Sequence, residues 1–300
     1  MASTALTRPA ISTVAELFKP VTWFPPMWAC ACGVVASGVP LAERWPIAVV
    51  GLLLAGPLVC ATSQAVNDWF DRHVDAINEP DRPIPSGRMP GRWGINIAIG
   101  WTLLSLLVAT LLGVWGFAAA AFGLLLAWAY SAPPLRLKEN GWWGNAACGL
   151  CYEGLAWVTG AAVMAAGSMP GPHSVLFALL YSVGAHGIMT LNDFKSIAGD
   201  RQMGVRSLPV QLGVQGAARV ACAVMTAPQF VVIACLVAWG HPAHAASIAA
   251  LLLAQFVLMR RFLAQPSERA RWYSGFGVPL YVAGMMVSAF ALRSTGGINV

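Results

Sequence analysis

Two acidic stretches carry the residue types in this chain that can do chemistry. In "NDWFDRHVDAINEPDRPIPSGR", residues 67–88, five acids fall between Asp68 and Asp81, in a chain of which only 10% is charged. If the stretch is helical, Asp68, Asp71 and Asp75 stand at i, i+3 and i+7. At about 100° per residue the three lie within about 60° of one another, with Arg72 close to the same face. Like charges stacked so closely repel unless cations offset them. The second stretch, "LNDFKSIAGDRQMGVRSLPVQLG", residues 191–213, repeats the Asn-Asp pair of Asn67 and Asp68 as Asn192 and Asp193. Asp200 follows Asp193 by seven residues, a spacing that returns it to the same helical face. The two stretches read as an internal repeat of one device within a single domain spanning residues 1–300.

Mg²⁺ is hard, octahedral and slow to lose water, so it is held by a few carboxylates together with substrate phosphate oxygens. Two opposed acid clusters of this kind suit a diphosphate. Arg72, Arg82, Arg88, Arg136, Lys138 and Lys195 supply direct phosphate contacts. If the other end of that substrate is an isoprenoid, the chemistry that follows is loss of diphosphate from an allylic carbon, with the metal stabilising the leaving group and a dry cavity protecting the cation.

The elements that must position these residues cross a membrane. A 300-residue chain with 58% hydrophobic residues and a mean hydropathy of +0.66 has more apolar surface than a soluble core can use. Nine apolar runs are long enough to cross about 30 Å of hydrocarbon: residues 21–39, 46–66, 95–114, 116–131, 143–166, 174–191, 217–239, 243–262 and 273–292. With nine spans and a cytoplasmic N-terminus, only Arg44 and Arg293 of the 18 Lys and Arg fall on the outer side, as the positive-inside bias requires. Both acid nodes then sit at cytoplasmic ends of even-numbered spans. The expected fold is an all-α membrane protein of nine transmembrane helices.

The net charge of +6 reflects this orientation and not nucleic-acid binding, since no basic stripe with interleaved aromatics occurs in a soluble segment. No signal peptide is expected, and a bacterial inner membrane is the simpler home. All seven cysteines lie inside expected spans, and the C-x-x-C of Cys148 and Cys151 reads as packing rather than metal or redox chemistry.

The first acid stretch matches the N-D-x-x-D-x-x-x-D signature of the UbiA superfamily of intramembrane prenyltransferases. The runs "NEPDRPIPSGRMPG", "YSAPPLRLKENGWWGN" and "NDFKSIAGDRQMGVRSLPVQLG" resemble its chlorophyll and bacteriochlorophyll synthase subgroup, and the similarity covers essentially the whole chain. The resemblance implies a bundle of the nine helices around a central cavity capped by cytoplasmic loops, Mg²⁺ dependence, and transfer of a geranylgeranyl or phytyl group from its diphosphate onto the propionate carboxylate of a chlorophyllide. Bacteriochlorophyllide a is the expected acceptor. The resemblance leaves room for contact with other pigment-biosynthesis or pigment-binding membrane proteins. Carried over by position, Asn67, Asp68, Asp71 and Asp75 fall on the first motif, and Asp193 and Asp200 on the second, as metal-holding and catalytic acids. Many superfamily members carry an acid four residues before the equivalent of Asp200, where this chain has Ser196. The subgroup often has Glu at the position of Ala198.

Asn192 joins the substrate-binding set beside Asp193. Glu153 is the only acid inside an expected span, where a charge is costly, and reads either as a cavity residue or as a structural hydrogen-bonding group. Gln64, Asn96 and His186 are candidates to line the cavity. His186 either faces the tetrapyrrole or is a satisfied interhelical histidine. Tyr130 offers an aromatic face to a carbocation, whereas Trp142 and Trp143 are equally read as interfacial anchors. Two other functions compete: a prenyltransferase acting on an aromatic quinone precursor, and a transporter or channel with an acidic cytoplasmic gate. Transport would distribute ionisable groups through the membrane depth, whereas here they gather at one face.

Overall fold

The structure, a computed structural model, describes residues 8–294. It is helical throughout, with no strand among the described residues. A short helix α1 (Ile11–Leu17) precedes α2 (Phe24–Ala36). Helix α3 (Leu41–Leu53) runs through a π-helical turn (Leu54–Cys60) into α4 (Ala61–Asn78). Helices α5 (Trp93–Ala109) and α6 (Gly113–Ser131) follow. Helix α7 (Gly141–Gly149) passes through a second π turn (Leu150–Leu155) into α8 (Ala156–Met164). The chain then forms α9 (Pro172–Asp193), the short α10 (Ile197–Met203), α11 (Leu208–Ala238), α12 (Pro242–Ala264) and α13 (Pro266–Ser294). Proline stands in the first turn of each of α9, α11 and α12, where its fixed φ favours the helix and its missing N–H is no loss.

Seven helical stretches among the described residues are long and apolar enough to cross a membrane, which fits a multi-pass membrane protein. Seven stretches, not the expected nine, qualify by length and composition among the described residues. Within the first expected span, 21–39, the helix Phe24–Ala36 is apolar but has 13 residues, short of the roughly 20 a straight crossing needs. The third and fourth lie on one stretch, Trp93–Ser131. That stretch nevertheless reverses direction, because the Trp128 indole donates to Thr102 Oγ1 at 3.1 Å. A straight helix would hold two residues so far apart in sequence tens of ångströms from each other. The reversal falls at Gly113, whose φ of 76° lies in the left-handed region that a side chain disfavours.

The buried centre joins α2, α8, α9, α11 and α13 around Trp157, Tyr181 and Tyr281. Polar ends of these aromatics are satisfied: Trp157 donates to Ser174 Oγ at 2.9 Å, and Tyr281 donates to the Tyr181 carbonyl at 2.9 Å. Helices α2 and α8 cross at two glycines. A Cβ on Gly33 would collide with the Trp157 carbonyl, and one on Gly160 with the Cys30 carbonyl. In lipid, where tails are as apolar as leucine, such close backbone packing is a main source of helix association.

Candidate active site

Helix α4 carries the first acid node, as expected for a helix that continues past its apolar portion. It presents Asn67, Asp71, Val74 and Asp75 to a cavity of about 440 Å³. These positions follow one another around one arc of the helix. The second node reaches the same cavity by a different route from the one its spacing suggests. Helix α9 ends at Asp193, and Asp200 stands on the separate α10 after an intervening turn. The two acids therefore share the cavity without sharing a helical face. Asn192, Lys195 and Ser196 line it beside them. Ser196, the position where many superfamily members carry an acid, donates to Asp200 Oδ2 at 3.1 Å. The C-terminal ends of α6 and α9 and the start of α7 all meet here, so the site lies at one end of the bundle.

Basic side chains stand among these acids. Lys138 donates to Asp71 Oδ1, and Arg136 Nη2 lies 4.0 Å from the same oxygen. Asn67 donates to Asp71 Oδ2 at 2.9 Å and to Ser131 Oγ at 3.3 Å. Arg82 spans Asp75 at 2.9 Å and Glu79 at 2.5 Å. Burial pulls the Lys138 ammonium below the ordinary lysine range, against the opposing pull of Asp71. Burial acts the same way on Arg82, but Glu79, Asp68 and Asp75 outweigh it and hold the guanidinium above its ordinary value. Tyr130 completes one wall.

Several of the residues singled out in the sequence lie outside this cavity. Asp68 stands at the edge of the arc and is 1% exposed; it pairs with Lys19 at 2.6 Å and Arg82 at 3.4 Å. Arg72 turns back on its own helix, donating to the Trp69 carbonyl at 2.6 Å with its guanidinium 4.4 Å from the Trp69 ring centroid. Arg88 forks onto the Glu16 carboxylate at 2.5 and 2.8 Å on the surface. Glu153 is buried in the second π turn with Oε2 unpartnered. His186 packs on Trp142, ring centroids 5.7 Å apart, with Nδ1 buried and unpartnered. Gln64 bonds Tyr152 at 3.3 Å, and Asn96 is exposed. Trp143 is 67% exposed.

Two residues of weight were not singled out. Asn145 on α7 lines the cavity and donates to Asp193 Oδ2 at 3.3 Å; it ends the "GWWGN" run, where only its residue type marked it. Ser207 lines the cavity with its hydroxyl buried and unpartnered, as is Arg136 Nε.

The donor set fits Mg²⁺: Asp71 and Asp75 on one wall and Asp193 and Asp200 on the other offer only oxygen. No three acids, histidines or cysteines among the described residues form a ready metal cage. A shell of one or two carboxylates completed by water and phosphate oxygens is the way this ion is usually held. The unpartnered Arg136 Nε and Ser207 Oγ are the donors such a phosphate would meet.

A sequence profile of the UbiA prenyltransferase family matches residues 24–287. The chain belongs to the UbiA prenyltransferase family. Among UbiA proteins it is similar to the bacteriochlorophyll synthase 33 kDa chain of Cereibacter sphaeroides, with 60% identity over 278 residues, 93% of this chain and 92% of that one. The bacteriochlorophyll synthase 34 kDa chain of Chloroflexus aurantiacus is 46% identical over 283 residues, 93% of this chain and 89% of that one. A solved digeranylgeranylglyceryl phosphate synthase shares the UbiA fold with a TM-score of 0.72 at 19% identity, over 93% of this chain and 98% of that one. A UbiA homolog from Archaeoglobus fulgidus bound to DMAPP and Mg²⁺ superposes with a TM-score of 0.63 at 19% identity, over 94% and 99%.

Proposed function

We propose that this UbiA protein transfers a geranylgeranyl or phytyl group from its diphosphate to the propionate carboxylate of a chlorophyllide, with bacteriochlorophyllide a as the acceptor. The observation that carries the reading is the convergence of two acid nodes, far apart in sequence, with Arg82, Arg136, Lys138 and Lys195 on one cavity at the end of an apolar bundle. A prenyl diphosphate has the matching polarity, an anionic head and a hydrocarbon tail. The acceptor is supported by the 60% identical relative, whose name is bacteriochlorophyll synthase.

Mg²⁺ bound by Asp71, Asp75, Asp193 and Asp200 would supply charge neutralisation of the diphosphate head. Arg136 and Lys138 bind the phosphate oxygens directly, Arg136 as a fork and Lys138 as a point charge. Tyr130 lines the wall beside them, where its aromatic face shields positive charge at the allylic carbon. The allylic C–O bond breaks with its electron pair leaving on the diphosphate, and a carboxylate oxygen of the acceptor forms the new C–O bond. A propionate is already ionised at neutral pH, so the protein needs no base for it; its tasks are to orient the two partners and keep water out.

The bundle is proposed to cross a bacterial inner membrane nine times with its N-terminus in the cytoplasm, counting Phe24–Ala36 and both arms of the hairpin that turns at Gly113. Supporting this are the reversal marked by the Trp128–Thr102 bond and the one-sided distribution of Lys and Arg.

The test is to incubate membranes containing the full chain with geranylgeranyl diphosphate and, separately, several chlorophyllides and an aromatic quinone precursor, with Mg²⁺ supplied or chelated. Esterified chlorophyllide and released diphosphate are expected. Prenylation of the aromatic acid with no chlorophyllide ester would replace the acceptor, and solute uptake without diphosphate release would replace the enzyme.

A further inference from the structure

Two basic residues approach α4 from backbone in the left-handed region: Arg136 (φ 39°) and Lys19 (φ 45°). This conformation disfavours a residue with a side chain and persists where the surroundings over-determine it, a pattern that clusters at functional sites. At Lys19 the surroundings do so. Its carbonyl accepts from the Thr22 N–H at 2.9 Å and from Thr22 Oγ1 at 2.8 Å. The Trp23 indole donates to the Phe18 carbonyl at 2.9 Å across the same turn. Arg136 lines the cavity. Lys19 is not among the residues that line it and meets α4 at Asp68, at the edge of the arc.

The Lys19 ammonium sits 2.6 Å from Asp68 Oδ1. Arg82 lies 3.4 Å from that same oxygen but 2.9 Å from Asp75 Oδ2, and lines the cavity. A buried carboxylate deprived of one counter-ion draws on whatever cation remains. For Asp68 the remaining cation is Arg82, whose single Nη1 serves both Asp68 and Asp75, so the two acids compete for it. The Glu16–Arg88 ion pair ties the loop that carries Arg82 to the same N-terminal segment.

We infer that Lys19 is a positioning residue of the diphosphate site: by neutralising Asp68 from outside the cavity, it leaves the Arg82 guanidinium on the cavity side beside Asp75, free to contact a diphosphate. Asp68 is then an anchor between two cations rather than a wall of the cavity. The inference rests on the prenyl-diphosphate reading given above.

The test measures binding of geranylgeranyl diphosphate with Mg²⁺ to the full chain in detergent, together with KM for donor and acceptor. Lys19→Met weakens donor binding and raises donor KM by about tenfold, the scale of one hydrogen bond to a charged group, while acceptor KM stays put. Lys19→Arg retains donor binding within about twofold of wild type by keeping the charge. The double variant Lys19→Met/Asp68→Asn recovers most of the affinity lost by Lys19→Met, since no buried carboxylate remains to claim Arg82. Wild-type affinity in Lys19→Met, or a double variant as weak as the single one, overturns the inference. Should Lys19→Met fail to insert, the double variant is compared with Asp68→Asn alone. Equal affinities support the inference, and a loss confined to the double variant overturns it. A wild-type chain that binds the diphosphate but esterifies no chlorophyllide overturns the acceptor assignment only, and the variants are then judged on binding. One that does not bind the diphosphate overturns both.

Discussion

The carboxamide of Asn145 donates to Asp193 Oδ2 at 3.3 Å and to Thr190 Oγ1 at 3.2 Å, linking the start of α7 to the end of α9 at the second acid node. A hydrogen bond to a charged group is worth about 1.5–3 kcal/mol, and about 1.4 kcal/mol is tenfold in rate. Asn145→Ala is therefore expected to cut turnover by roughly 10- to 100-fold. Steady-state ester formation measures it, with thermal unfolding in detergent as the control that the bundle persists.

Asp71 and Asp68 are expected to separate in assay although they sit three residues apart. Asp71→Ala removes a carboxylate that faces the cavity beside Lys138 and Asn67, and turnover falls by about 100-fold or more, the scale for removing one preorganised electrostatic group. Asp68 faces Lys19 and Arg82 outside the cavity lining. Asp68→Ala is expected to lose about tenfold at most. Parallel turnover measurements, normalised to inserted protein, read the difference; equal losses would return Asp68 to the metal-holding set.

Removal of divalent ions is expected to abolish diphosphate release, and added Mg²⁺ to restore it. The oxygen-only donor set on the two cavity walls suits that ion. Diphosphate release measured with chelator and after Mg²⁺ addition gives the answer, and full activity in chelator sinks the metal assignment.

Gly160→Ala is expected to destabilise the bundle without touching the cavity. The added methyl meets the Cys30 carbonyl at the α2–α8 crossing, and overpacking of this kind costs about 1–3 kcal/mol, occasionally more. A lowered Tm in detergent, with donor KM unchanged in the surviving fraction, is the expected pair of results.

What the sequence determined by itself is what local pattern encodes. Apolar runs marked the helices because a bilayer offers no partner for exposed backbone, so an apolar stretch of sufficient length has few alternatives to a helix. The one-sided Lys and Arg distribution set the expected orientation, and the spacing of Asp68, Asp71 and Asp75 marked one face of α4, from which Asp71 and Asp75 line the cavity and Asp68 does not. Signals of this kind lie within a few turns of chain.

Tertiary structure decided which charged residues work together. Asp200 reaches the cavity because α9 stops at Asp193 and the chain turns, and no helical spacing forecasts that break. Arg72 and Arg88 look as suited to phosphate as Arg136 until Trp69 and Glu16 are seen to hold them elsewhere. Lys19 carries no motif, yet the packing of α1 and its turn against α4 brings its ammonium to Asp68. A long flexible cation can pair with any acid within reach, and only packing between segments distant in sequence fixes which acid that is.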